Sequence, residues 1–313
     1  MMKSNFLATA ILICAAVFTS CNVNDDIEDG DQPQAVCFTA SIDNQAVQDG
    51  APQTKAEGTT WGNDVIGVFM VSNGGVTTVH ESNIQFTTPG TGTFTAVAGS
   101  EIYYPMDGSA VDFIAYYPYE GGKAIGDAIS VDVSGTQTAA SQAGIDLLWG
   151  KADGAGGAGY TKTNTGPVAL TFSHKLAKLV MNVKADPSVG GTLDGMTVSI
   201  AGMNTKNTLA LATGALGAPG TPAAITPNKI TTAAGFAASY DAIILPHNYA
   251  ASAVMVTFTV GGETFTWTLT AADAAFNGGN EYTYAVTLTR TGVTVIGTIT
   301  PWTPIDRGLV EAE

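Results

Sequence analysis

The sequence predicts an all-β protein built from β-sandwiches, and three observations carry that prediction. Thr, Val, Ala and Gly dominate the chain of 313 residues, with 37 glycines and only 12% charged residues, a composition suited to many strands joined by small-residue turns. Apolar or alternating runs of three to nine residues recur at short intervals, bounded by Gly, Asn and Asp. Long runs with a helical period do not separate them, which favours sandwiches over a sheet of alternating strands and helices. Hydrophobic residues make up 45% of the chain, enough to bury a sizeable core.

The strands are expected in the following order. The first is residues 35–42. The continuous apolar run VIGVFMV at 65–71 follows, stopped by Asn73-Gly74-Gly75, which is hairpin chemistry. Then come 94–97, 102–104, 111–117 and 145–149, with a turn at Asp107-Gly108. Beyond the glycine-rich stretch 153–159 the pattern resumes at 168–172, 177–183, 196–200, 242–245, 254–260, 264–270, 281–289 and 293–299. Residues 264–270 alternate strictly, so Phe265, Trp267 and Leu269 face a core and the threonines face away. Gly261-Gly262-Glu263 is expected to join that strand to its predecessor as a tight hairpin. Residues 210–234 read either as a long loop or as short strands, and 271–276 as one helical turn. The loop ending near residue 165 is taken as the boundary between an N-terminal sandwich, 35–165, and a C-terminal sandwich, 166–313.

The N-terminus reads as an address. Lys3 precedes an apolar stretch at 6–18 that is too short to span a bilayer comfortably and suits an export signal. Phe18-Thr19-Ser20-Cys21 then places small residues before a cysteine, as lipoprotein processing requires. Residues 1–21 are therefore expected to be a lipoprotein signal peptide with Cys21 as the acylated residue. The alternative is an ordinary secretory signal cut nearby. Residues 22–34, with Asp25, Asp26, Glu28, Asp29 and Asp31, read as an acidic solvated tether. Their spacing does not match a calcium loop of the EF-hand type.

Several chemistries find no support. The net charge of −15 repels phosphate backbones, which disfavours nucleic acid as a partner. The glycine-rich stretch lacks the Lys-Ser/Thr of a phosphate loop and the strand–helix frame of a dinucleotide fingerprint. His80, His174 and His247 are far apart and form no metal-type pair, so no metal and no cofactor is expected. With Cys14 in the signal and Cys21 acylated, Cys37 is left as a small core residue rather than a disulfide partner or nucleophile. The aromatic run Phe113, Tyr116, Tyr117, Tyr119 reads as core rather than a sugar platform. The chain is not expected to be an enzyme.

A set of marks lies in order along nearly the whole length: Thr54-Lys55-Ala56 with Trp61, the 65–69 run, FIAYYPY at 113–119, LLWGK at 147–151, VALTFSHKLAK at 168–178, GNEYTY at 279–284, and Val293-Thr-Val followed by Ile299 and Trp302. Together these marks resemble the fimbrillin-like proteins, the type V pilus components and surface lipoproteins of Bacteroidetes. The resemblance implies two transthyretin-like β-sandwich domains in tandem, a lipoprotein precursor on the outer membrane, and assembly by strand exchange with other pilus subunits. It further implies proteolytic removal of the first strand, here by a cut between Lys55 and Ala56, where the family prefers arginine before the cut. Lys55 reads equally well as a solvated loop residue. Val293, Val295, Ile299 and Trp302, with the tail 303–313, are the candidate donated segment, although that strand could equally complete its own domain. Stalk, tip and anchor roles stay open. The alternative function is a monomeric surface lipoprotein acting as an adhesin for a host glycan or protein.

Overall fold

A computed structural model describes residues 32–42, 61–190, 192–290 and 292–301. The expectation of an all-β protein holds. The first unit contains β1 (Phe38–Ile42), β2 (Asn63–Ser72), β3 (Val79–Pro89), β4 (Thr93–Ala96), β5 (Val111–Tyr117), β8 (Leu148–Ala152) and β9 (Val168–His174). Its strands are hydrogen-bonded all the way round in the order β1-β4-β3-β2-β5-β8-β9, so the sheet closes into a barrel and the unit has no free edge. Neighbouring pairs are antiparallel except β1 with β9, which run parallel.

Between β5 and β8 the chain leaves the barrel to form β6 (Ala128–Asp132), β7 (Gly135–Thr136) and the short helix α1 (Ala139–Ile145). The remaining strands are β10 (Ala177–Ala185), β11 (Thr197–Ala201), β12 (Lys206–Ala210), β13 (Ile225–Thr226), β14 (Asn228–Ile230), β15 (Ala238–Ile244), β16 (His247–Asn248), β17 (Met255–Val260), β18 (Glu263–Thr268), β19 (Ala275–Phe276), β20 (Asn280–Thr289) and β21 (Gly292–Pro301). They build two five-stranded sheets, β14-β15-β10-β20-β21 and β18-β17-β11-β13-β7, with β6 paired to β12 and β16 to β19.

The division drawn at residue 165 is therefore crossed in both directions by pairing: β9 lies beyond it yet closes the barrel, while β6 and β7 lie before it yet pair with β12 and β13. The excursion is locked to the second unit by buried amides. Gln137 donates from Nε2 to the Val133 and Ile243 carbonyls (2.9 and 2.8 Å) and accepts from Ile243 N at 2.8 Å, completing the edge of β15 past the end of β14. Thr138 caps α1 by accepting from Ser141 N, and Ser141 accepts in return from Thr138 N.

Two cores result. One fills the barrel and includes Phe38, Trp61, Phe86, Phe94, Phe113 and Phe172. The other lies between the two sheets and reaches the outer faces of β2 and β5 through Phe69, Val71, Ile114 and Tyr116. That double coverage explains why 65–71 and 111–117 read as unbroken apolar runs, since both faces of those strands are buried.

Several local expectations are corrected. Residues 102–104 form only a single bridge, Tyr103 to Ala35, rather than a strand. The expected strand at 145–149 begins later, at Leu148, because α1 occupies the residues through Ile145. The expected helical turn at 271–276 is a turn followed by β19. Residues 210–234, which read either as a loop or as short strands, contain β13 and the whole of β14.

Candidate functional site

The barrel closes through one strand. β1 lies parallel to β9, Phe38 opposite Val168 through Ile42 opposite Phe172, and antiparallel to β4 at Phe38–Phe94 and Thr39–Thr93. Flanking bonds extend the seam: Val168 N donates to Cys37 O at 2.8 Å, Ala40 N to Gly92 O at 2.7 Å, Val36 N to Ile102 O at 2.9 Å and Tyr104 N to Gln34 O at 3.1 Å. The segment is thus bonded to the barrel along both edges.

Its side chains alternate as a half-buried strand should. Phe38 and Ile42 are fully buried, Val36 nearly so, while Thr39 and Ser41 are exposed. The Phe38 ring meets Phe86 and Phe113 edge-on at 4.9 and 5.0 Å. Trp61, where the described chain resumes after Ile42, donates its indole N–H to Ala40 O at 2.9 Å and stands edge-on to Phe94 and Phe172. Next to this seam, Asn164 Nδ2 donates to the Tyr104 hydroxyl at 2.8 Å, and burial pushes that phenol up to about 12. Removing β1 would expose two pockets lined by aromatic rings and two rows of backbone groups, which only another extended, alternately apolar segment could satisfy.

At the other end, β21 is antiparallel to β20 from Asn280–Pro301 to Thr289–Gly292 and pairs with no other strand among the described residues. Val293 and Val295 are half-buried and pack on the second core, opposite Leu288 and Val286. Ile296, on the opposite face, is exposed. Gly297 continues the inward row, where a Cβ would stand 2.6 Å from the Tyr284 ring, so glycine lets the two strands meet there. Ile299 is in register with Tyr282. Of the other sequence-derived site residues, Cys21, Lys55, Ala56 and Trp302 lie outside the described residues.

Those of the sequence-derived site residues that are described form no reactive constellation. His174 and Asp146 are both fully buried and hydrogen-bonded through Nδ1 and Oδ1 at 2.8 Å, a structural pair behind β8 and β9. Asp112, also fully buried, accepts from Asn73 Nδ2 at 2.8 Å and Gly74 N at 3.0 Å and pairs with Lys151 at 3.1 Å, which pins the β2–β3 turn onto β5 and β8. Burial alone lowers the Lys151 pKa, but the Asp112 and Asp153 carboxylates together more than offset it and the net shift is upward. A surface hollow of about 520 Å³ borders Ser173, His174 and Lys175, yet Ser173 Oγ bonds the Trp149 carbonyl rather than a base. Among the described residues no group of three or more His, Cys, Asp or Glu is disposed to hold a metal. Nor, among them, is any helix long and apolar enough to cross a membrane.

Sequence reasoning identified the first strand but missed its partners. Parallel pairing with β9 joins segments far apart in the chain, and the indole bond to Ala40 links residues 21 apart, beyond the reach of any local pattern. A single tryptophan, Trp61, in an otherwise polar stretch is the available signal.

Both the sequence and the fold have relatives among known proteins. A protein named as a fimbrium subunit, Fim1C, of Bacteroides uniformis is 37% identical over 268 residues, covering 82% of this chain and 83% of its own. A solved structure named as a cell adhesion protein of Bacteroides uniformis has 32% identity and a TM-score of 0.67, covering 86% of this chain and 98% of its own. The tip fimbrial protein Mfa3 of Porphyromonas gingivalis, solved with a C-terminal truncation, shares the fold at 8% identity and a TM-score of 0.51, covering 87% of this chain and 100% of its own. The profile described as fimbrillin-like matches residues 54–302, and the chain belongs to that family.

Proposed function

We propose that this protein is a structural subunit of a cell-surface fimbria that polymerises by exchanging strands with other subunits. In this reading Cys21 carries a lipid anchor in the outer membrane, and a cut between Lys55 and Ala56 separates the anchor and β1 together from the rest of the chain. The vacated seam between β9 and β4 then receives an extended segment from a neighbour, supplied by Val293, Val295, Ile299 and Trp302 or by the tail behind them.

The observation that carries the reading is the position of β1. It is the first described strand, it closes the barrel alone, and it contributes Phe38 and Ile42 to the core while everything after it belongs to a separate stretch of chain. A strand in that position can leave as a unit, and the groove it leaves has a fixed demand: an apolar residue at every second position and a backbone to bond on both sides. The edge position of β21, with an inward Val293-x-Val295 row, offers that pattern near the other end of the chain.

The test is electrophoresis of outer-membrane extracts warmed but not boiled, from cells carrying the native chain and the Lys55→Ala variant. A ladder of heat-resistant multimers for the native chain, reduced to monomer for the variant, supports strand exchange. A single monomer band for both refutes it and favours a monomeric adhesin for a host glycan or protein.

A further inference from the structure

One cluster of charged side chains is buried without serving the seam. Lys178 lies on β10, the central strand of its sheet, with β15 on one side and β20 on the other. Glu281 is its direct partner across the parallel pair with β20. Asp241 is its diagonal neighbour on β15, in register with Val180 two residues along the same face. Lys178 Nζ is 3.5 Å from Asp241 Oδ2 and 3.6 Å from Glu281 Oε2, and the side chains are 9%, 1% and 29% exposed respectively. Both distances are long for charge-assisted hydrogen bonds, which close to about 2.8 Å.

The carboxylate of Asp241 is not symmetrical in its surroundings. Oδ1 accepts from Gln142 Nε2 and from Asn228 Nδ2, each at 3.0 Å. Oδ2 faces the lysine. Two amide donors fixed on one oxygen are what stabilises negative charge developing there when a nucleophile adds to the carboxyl carbon. A lysine nitrogen on the open side, within reach of a second carboxylate that can accept its proton, supplies the nucleophile and the base.

We propose that Lys178 and Asp241 are a self-modification site, at which Nζ and Cγ join as an intramolecular amide. Glu281 takes a proton from Nζ, and the nitrogen adds to Cγ while Gln142 and Asn228 hold the charge on Oδ1. The Cγ–Oδ2 bond then breaks. Of the three ammonium protons, two leave with Oδ2 as water and one stays on the amide nitrogen. Glu281 relays the protons and ends as a carboxylate. No oxidant, metal or co-substrate is needed. The product removes a buried pair of opposite charges, each costly to desolvate, and staples β10 to β15 covalently. The cross-link lies in the second unit and does not depend on how the barrel is completed, so it stands or falls separately from strand exchange.

Mass spectrometry of the purified protein decides it. The expected result is a chain lighter by one water than its own sequence requires. With it comes a branched tryptic peptide joining residues 176–184, uncut at Lys178, to residues 230–290. Lys178→Met should abolish the deficit and the branch, and Asp241→Asn should form the same bond with loss of ammonia instead of water. Glu281→Gln, at the most exposed of the three positions, should leave mostly unbranched chain. Native protein of full sequence mass yielding only linear peptides overturns the proposal whatever the variants do. A complete branch in Glu281→Gln overturns the role given to Glu281.

Discussion

Truncating Phe38 to alanine tests whether β1 is a working part of the core. The side chain is fully buried and stands edge-on to Phe86 and Phe113 at 4.9 and 5.0 Å. Phe→Ala changes in well-packed cores cost about 3–5 kcal/mol, the lost ring and the cavity both contributing. The two ring contacts account for about 0.5–1.5 kcal/mol each within that total. The strand is bonded along both edges, so the barrel cannot collapse onto the hole without breaking those bonds, and the upper half of the range is expected. Against a typical stability of about 5–15 kcal/mol, the loss is large. Urea titration of the uncut chain, followed by tryptophan fluorescence because Trp61 shares this core, should show the first transition moved to much lower denaturant. Thr39→Ala, one residue along on the exposed face, should stay within about 0.5 kcal/mol of the native protein. If Phe38→Ala costs less than about 1 kcal/mol, β1 is not an integral stave and the pocket argument fails.

Two further outcomes are expected. Gly202 has φ +88° and a Cβ there would stand 1.9 Å from the Ala253 carbonyl oxygen, so Gly202→Ala should destabilise the second unit by about 1–3 kcal/mol or more, read as a lowered thermal midpoint. Burial pushes the phenols of Tyr104 and Tyr116 up to about 12, whereas an unfolded chain ionises its tyrosines near about 10. The fold therefore holds protons that the unfolded chain releases. The stability involved is intact below pH about 10 and is lost as pH rises towards about 12. Absorbance titration of phenolate alongside circular dichroism should show late-ionising tyrosines that titrate together with unfolding.

Much of the fold was legible from period and punctuation. The run at 111–117 matches β5 residue for residue, and the alternation at 264–270 and the Gly261-Gly262 turn locate the β17–β18 hairpin to within two residues. What escaped has physical reasons. β3 carries a polar sequence, VHESNIQFTTP, because only Asn83, Phe86 and Thr88 of it are buried and its pairing with β2 shifts register near Met70, so neither strict alternation nor an apolar run marks it. β6, β7, β12 and β13 are short and take their stability from pairing across the two halves, which no local pattern encodes. α1 is two turns long and made mostly of small residues, AASQAGI, legible only through the Thr138–Ser141 cap. Of the candidate site, the first and last strands could be read directly. The parallel seam with β9 could not, since it joins Phe38 to Val168 across more than a hundred residues. The Lys178–Asp241–Glu281 cluster was invisible for the same reason, each member lying on a different strand.

The N-terminal residue of subunits recovered from the assembled surface polymer bears most directly on strand exchange. Mass spectrometry of that material should find chains beginning at Ala56, with Cys21 and residues 35–42 gone and a neighbour's segment in their place. Polymer whose subunits still carry β1, covalently continuous with the rest of the chain, would contradict it.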